Sequence, residues 1–80
     1  MNKHIELVKK YLTDPFSVSL VDLDRNRDDA AVIFESDGED TSYAAYCASN
    51  AACMEEDTSY AAYWVARYEK LTGERYVQNH

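Results

Sequence analysis

From residue 39 to residue 71 the chain runs without a glycine or a proline, and alanine is abundant throughout. Alanine is the strongest helix former, whereas glycine and proline are the residues that weaken or end helices. The composition therefore predicts a helix over 39–72, stopped by Thr72-Gly73. At 1.5 Å rise per residue an unbroken helix of that length measures about 50 Å. The remaining residues, read as two shorter helices, are too few to cover it. Such a helix must kink, protrude or pair with a partner.

An internal repeat marks where a kink would lie. Glu39-Asp40-Thr41-Ser42-Tyr43-Ala44-Ala45-Tyr46 recurs as Glu56-Asp57-Thr58-Ser59-Tyr60-Ala61-Ala62-Tyr63, a period of 17 residues. Two copies make a local duplication, since a solenoid needs at least three units. Both copies open with acids and hydroxyls, the chemistry of helix starts. Either one helix runs through, or a break falls at residues 55–58.

The preceding residues read as two more helices, over about 2–12 and 19–35. In the first, Asn2 is a cap. Ile5, Val8 and Leu12 form an apolar stripe with Leu7 and Tyr11 alongside. Asp14-Pro15 ends it, because the residue before proline is driven out of helical geometry. Ser19-Leu20-Val21-Asp22 is a variant of the capping box. Leu20, Leu23, Arg27, Ala30, Ala31 and Phe34 then share a face. Val32-Ile33-Phe34 ahead of Ser36-Asp37-Gly38 also suits a strand entering a hairpin, but no partner strand follows, so helix is preferred. The expected fold is all-α: a single-domain bundle of three helices, four if the last one breaks.

Charge is unevenly placed. The chain carries a net −7, yet residues 22–57 hold eleven acids (Asp22, Asp24, Asp28, Asp29, Glu35, Asp37, Glu39, Asp40, Glu55, Glu56 and Asp57) against Arg25 and Arg27, a net −9. Such a chain is repelled by nucleic acids and anionic membranes and attracted to basic surfaces. Its opening residues contain no apolar core of a signal peptide, and no apolar run approaches the length needed to span a bilayer. An intracellular location follows as an expectation.

Catalytic and metal-binding patterns do not emerge. His4 and His80 stand at opposite ends of the sequence, and nothing implies that either meets Cys47 or Cys53. The two cysteines, if on one helix, are separated by about 9 Å along its axis, farther than bridged Cα atoms sit. They read as small reduced core residues. Neither a short Cys/His spacing for zinc nor a glycine-rich phosphate loop is present, and no EF-hand pattern organises the acids. No cofactor and no enzymatic activity are expected.

The two ends of the chain resemble a group of small alanine-, aspartate- and tyrosine-rich proteins encoded by tailed bacteriophages. The resemblance rests on Met1-Asn2-Lys3-His4-Ile5-Glu6-Leu7-Val8-Lys9-Lys10-Tyr11-Leu12, on Ser17-Val18-Ser19-Leu20 and on Ala61-Ala62-Tyr63-Trp64-Val65-Ala66-Arg67-Tyr68-Glu69-Lys70-Leu71-Thr72. The middles of these proteins are variable Ala-Ala-Tyr-rich runs. Val32-Ile33-Phe34 and the Ser36-Asp37-Gly38 break depart from that pattern. The resemblance implies a phage origin and the cytoplasm of an infected bacterium as location. It carries no functional residues with it.

These readings converge on a non-enzymatic phage protein that inhibits a host defence or nucleic-acid-processing protein, of anti-CRISPR or anti-restriction type. Its contact would be an acidic, DNA-mimicking face containing Asp28, Asp29, Asp37, Glu39, Asp40, Glu55, Glu56 and Asp57. Tyr43, Tyr46, Tyr60 and Tyr63 are candidate aromatic anchors. A different use is open to Met54, Ala61, Trp64, Tyr68 and Leu71, which lie close to heptad spacing. They form either the core of the chain's own bundle or the seam of a homodimer. In that second case the protein is a self-associating assembly component whose acids provide solubility.

Overall fold

In a computed structural model, residues 2–54 and 58–73 are described. They contain four α-helices: α1 (Lys3–Thr13), α2 (Leu20–Asp37), α3 (Asp40–Met54) and α4 (Thr58–Thr72), with a single 3-10 turn at Pro15–Ser17. No strand occurs among the described residues, and the segment 31–35 lies inside α2. None of these helices is long and apolar enough to cross a membrane.

The boundaries follow from local chemistry. Asn2 accepts from the backbone N–H of His4 at 2.7 Å and of Ile5 at 3.3 Å, satisfying donors that have no partner within α1. Asp14, held extended by the proline after it, ends α1. Its carboxylate then accepts from the Phe16 N–H. Ser19 caps α2 by accepting from the Asp22 N–H at 3.1 Å. Gly38 closes α2 in the left-handed region at φ 64°, its N–H donating to the Phe34 carbonyl at 2.8 Å. Asp37 links this stop to the next start. One carboxylate oxygen accepts from the Glu39 N–H at 2.9 Å and the other from the Ser42 hydroxyl at 2.8 Å.

Of the two readings of 39–72, one unbroken helix or a break at 55–58, the long helix is not found, and two helices stand in its place. The rings of Tyr43 and Trp64 lie 5.6 Å apart, whereas in one straight helix these residues would stand about 30 Å apart. α3 ends at Met54, α4 begins at Thr58 inside the second copy of the repeat, and α4 packs along α3. The reason is burial. A 50 Å helix would leave its apolar side in water, while the folded-back pair covers Ala44, Ala48, Ala52, Ala61, Val65 and Tyr68. At roughly 25 cal/mol per Å² of apolar surface, that burial favours the folded-back pair.

The core explains the composition of α3. This helix packs against all three others, whereas α2 and α4 flank it without packing on one another. It is therefore buried nearly all round, through Ser42, Ala44, Ala45, Ala48, Ser49, Ala51 and Ala52. Only small side chains let three helices approach one. The larger core residues come from its neighbours: Ile5, Val8 and Tyr11 from α1, Leu23 from α2, and Val65 and Tyr68 from α4, with Val18 from the connection. The duplicated octapeptide thus has two fates. Ser42 and Ala45 of the first copy are buried, but their counterparts Ser59 and Ala62 are exposed.

One buried polar network ties three helices together. Asn26 of α2 donates from Nδ2 to the His4 carbonyl at 3.2 Å and to the Ser49 hydroxyl at 3.0 Å. Ser49 in turn donates to the Ala45 carbonyl at 2.8 Å. Since both Asn26 amide hydrogens are used in this way, its Oδ1, 2.8 Å from His4 Nδ1, is the acceptor. That fixes the proton of a neutral His4 on Nδ1. His4 is 3% exposed, and its Nε2 is buried with no hydrogen-bond partner among the described residues.

A candidate interaction surface of aromatic rings and carboxylates

The four candidate tyrosines fall into one cluster. Tyr46 stacks on Phe34 at a centroid distance of 6.4 Å with the rings 9° from parallel. Phe34 meets Tyr43 at 5.1 Å, and Tyr43 meets Trp64 edge-on at 5.6 Å and 88°. Tyr60 and Tyr63 complete the cluster, edge-on to Trp64 at 6.4 Å and 5.3 Å. Each such pair contributes about 0.5–1.5 kcal/mol beyond its area. Both copies of the repeat therefore supply their tyrosines to a single patch, with Trp64 as the hub. The patch is not core: Tyr43, Tyr60 and Tyr63 remain 44%, 57% and 55% exposed. Trp64 Nε1 is buried and meets no acceptor among the described residues. Sequence reasoning found the tyrosines through the repeat. It did not connect them with Phe34 and Trp64, because that contact depends on the reversal after Met54.

The acids are arranged around this patch and along α2. Asp37, Glu39 and Asp40 are exposed where α3 begins, close in sequence to Tyr43. Asp40 lines a cleft of about 160 Å³ together with Tyr43, Trp64, Arg67 and Leu71. Asp28 and Asp29 are exposed on α2 but lean to different sides. Asp28 pairs with Arg27 at 3.0 Å. Asp29 borders a shallow depression shared with Lys3, His4, Leu7, Asp22, Arg25 and Asn26. Glu55, Glu56 and Asp57 lie outside the described residues.

The stripe read as core or seam divides. Ala61 and Tyr68 are buried in the chain's own bundle and Trp64 is partly buried against it, while Met54 and Leu71 are 55% and 41% exposed. A feature with no sequence signal is Phe16, which stands 99% exposed on the 3-10 turn after Pro15.

Neither thiol is bridged or hydrogen-bonded to His4. Cys47 and Cys53 are free. Cys53 donates to Asp24 at 2.6 Å and accepts from Arg27 at 3.2 Å. Burial, then the hydrogen bond to Asp24, pushes its pKa up against the opposing pull of Arg27. Burial also raises the Cys47 thiol, partly offset by a hydrogen bond with Tyr43. Raised thiols are poor nucleophiles at neutral pH, because the thiolate is the reactive form. Among the described residues no group of three His, Cys, Asp or Glu side chains is placed to hold a metal ion.

No known family model matches the chain, and neither a curated protein nor a solved structure shows significant similarity to it.

Proposed function

We propose that this chain is a non-catalytic phage protein that docks its carboxylates on a basic groove of a host nucleic-acid-processing or defence protein and blocks it. The observation that carries the reading is the excess of exposed acid without internal neutralisation. Asp22, Asp29, Glu35, Glu39 and Asp40 form no ion pair among the described residues, whereas Asp24 and Asp28 share Arg27. Those on α2 are distributed along a helix about 27 Å long. Duplex DNA carries one charge per roughly 1.7 Å of axis over both strands, and its binding proteins release counterions when they engage. An acidic helix with aromatic rings packed on Phe34 near its C-terminal end offers a basic groove comparable charge together with anchors of the kind that dominate interfaces. The phage origin rests on the sequence resemblance, and the host target follows from it.

The test is competition. The protein, immobilised and exposed to bacterial lysate, should retain a nucleic-acid-binding protein that duplex DNA displaces and rising salt releases. Reversal of Asp28, Asp29 and Glu35 to lysine should abolish retention with helicity by circular dichroism unchanged. Retention that is indifferent to DNA and salt sinks the reading.

A further inference from the structure

We infer that the cleft between Asp40 and Trp64 is the seat of an arginine side chain from the partner, an inference that rests on the acidic-surface reading above and names its anchor. Three observations meet there, on residues of α3 and α4. Tyr43 and Trp64 stand at 88° to one another, so their rings form two walls of a corner. The cleft these walls border encloses about 160 Å³, room for one side-chain head group, with Leu71 on its rim. Asp40, also lining it, is exposed and has no hydrogen bond or ion pair among the described residues.

Charge selects the occupant. Glu39 and Asp37 stand beside Asp40, so a cation is drawn to this end of the molecule. Aromatic faces attract cations through the ring quadrupole. Between the two cationic side chains the geometry favours arginine. Its planar guanidinium lies flat on a ring and presents paired N–H donors to a carboxylate, whereas the lysine ammonium is a compact, strongly hydrated point charge. Arg67 lines the same cleft and is not in ion-pairing distance of Asp40. Its positive charge opposes the incoming group and sets a ceiling on affinity.

Trp64 is the only tryptophan, so its fluorescence reports the cleft directly. Capped tri-arginine and tri-lysine peptides of equal charge should be titrated into the whole protein at low salt. The arginine peptide should give a saturable change with a Kd at least fivefold lower than the lysine peptide. Asp40→Asn and Tyr43→Ala should erase that preference, Tyr43→Phe should keep it, and Arg67→Gln should tighten arginine binding about twofold or more. If both peptides bind equally and Asp40→Asn changes neither, the cleft is no arginine seat, although the acidic surface still attracts cations. If neither peptide binds, both the cleft and the acidic-surface reading fall.

Discussion

Asn26 is the residue on which the helices agree about register. It satisfies a side chain and a carbonyl on His4 and a hydroxyl on Ser49, joining α1, α2 and α3. Replacing it with alanine leaves His4 Nδ1 buried without its partner, at a cost of about 1–3 kcal/mol, and takes one bond each from the His4 carbonyl and from Ser49, which keeps its bond to Ala45. Asn26→Ala should therefore destabilise the protein by roughly 3 kcal/mol, a large share of what an 80-residue domain has. A lowered urea midpoint measures it; an unchanged one would show the network to be dispensable. The thiols give a prediction in pH. Both are raised in the folded state, with burial the largest cause. Folding thus favours the protonated form. The associated stability is fully present below the thiol's unfolded pKa, about 8.5, and is lost as pH rises through the higher folded value. Alkylation by iodoacetamide at pH 8.5 should be slower in the folded protein than in urea, and thermal stability should decline on the alkaline side. Equal rates in the two states would contradict the raised thiols.

At the scale of elements, the duplicated octapeptide is a controlled comparison supplied by the chain itself. Ala45 and Ala62 occupy the same place in the repeat, yet one is 2% exposed in the crowded middle helix and the other faces water. Ala45→Leu overpacks a site where three helices converge and should cost roughly 2 kcal/mol or more. Ala62→Leu should change stability by less than about 0.5 kcal/mol, as surface substitutions generally do. Thermal melts of the two variants side by side test this, and equal losses would place both alanines in comparable surroundings. The same pair shows why the sequence was only partly readable. Caps and stops were legible: Asn2, Asp14-Pro15, Ser19 and Gly38 act through backbone chemistry within a few residues. The stripe Ile5, Val8 and Tyr11 was legible from periodicity, and all three are buried. The reversal after Met54 was left open because helix propensity favours continuation through the repeat. Tertiary burial, which propensity does not contain, decides against it. The aromatic patch inherits that uncertainty, since Tyr43 meets Trp64 only once the chain has turned back.

For the whole molecule, the ledger of charge and aromatic exposure sets how it meets a partner. Exposed carboxylates outnumber the cations beside them: Lys9 pairs with Glu69, and Arg27 serves both Asp24 and Asp28. Association with a basic protein should then be fast and strongly salt-dependent. Raising salt from 50 to 200 mM should lower the association rate constant by an order of magnitude or more, as read by surface plasmon resonance on the captured target. A rate insensitive to salt would assign recognition to apolar contact alone. Self-association is separable from this. Ala61 and Tyr68 are occupied within the bundle, so a dimer would need the outward residues of α4. Light scattering at micromolar concentration should report a monomer, and a stable dimer would shift the balance toward an assembly role.

The unequal fates of the two repeat copies reach beyond stability. Errors in the inner copy are visible to selection through misfolding, because Ser42, Ala44 and Ala45 are all enclosed. In the outer copy Ala61 is as enclosed as Ala44, but Ser59, Tyr60, Ala62 and Tyr63 face water and can change without disturbing the bundle. A lineage carrying this chain therefore holds a fixed text and a partly editable transcript of it on one molecule, and can revise the exposed letters of the second without putting its fold at risk.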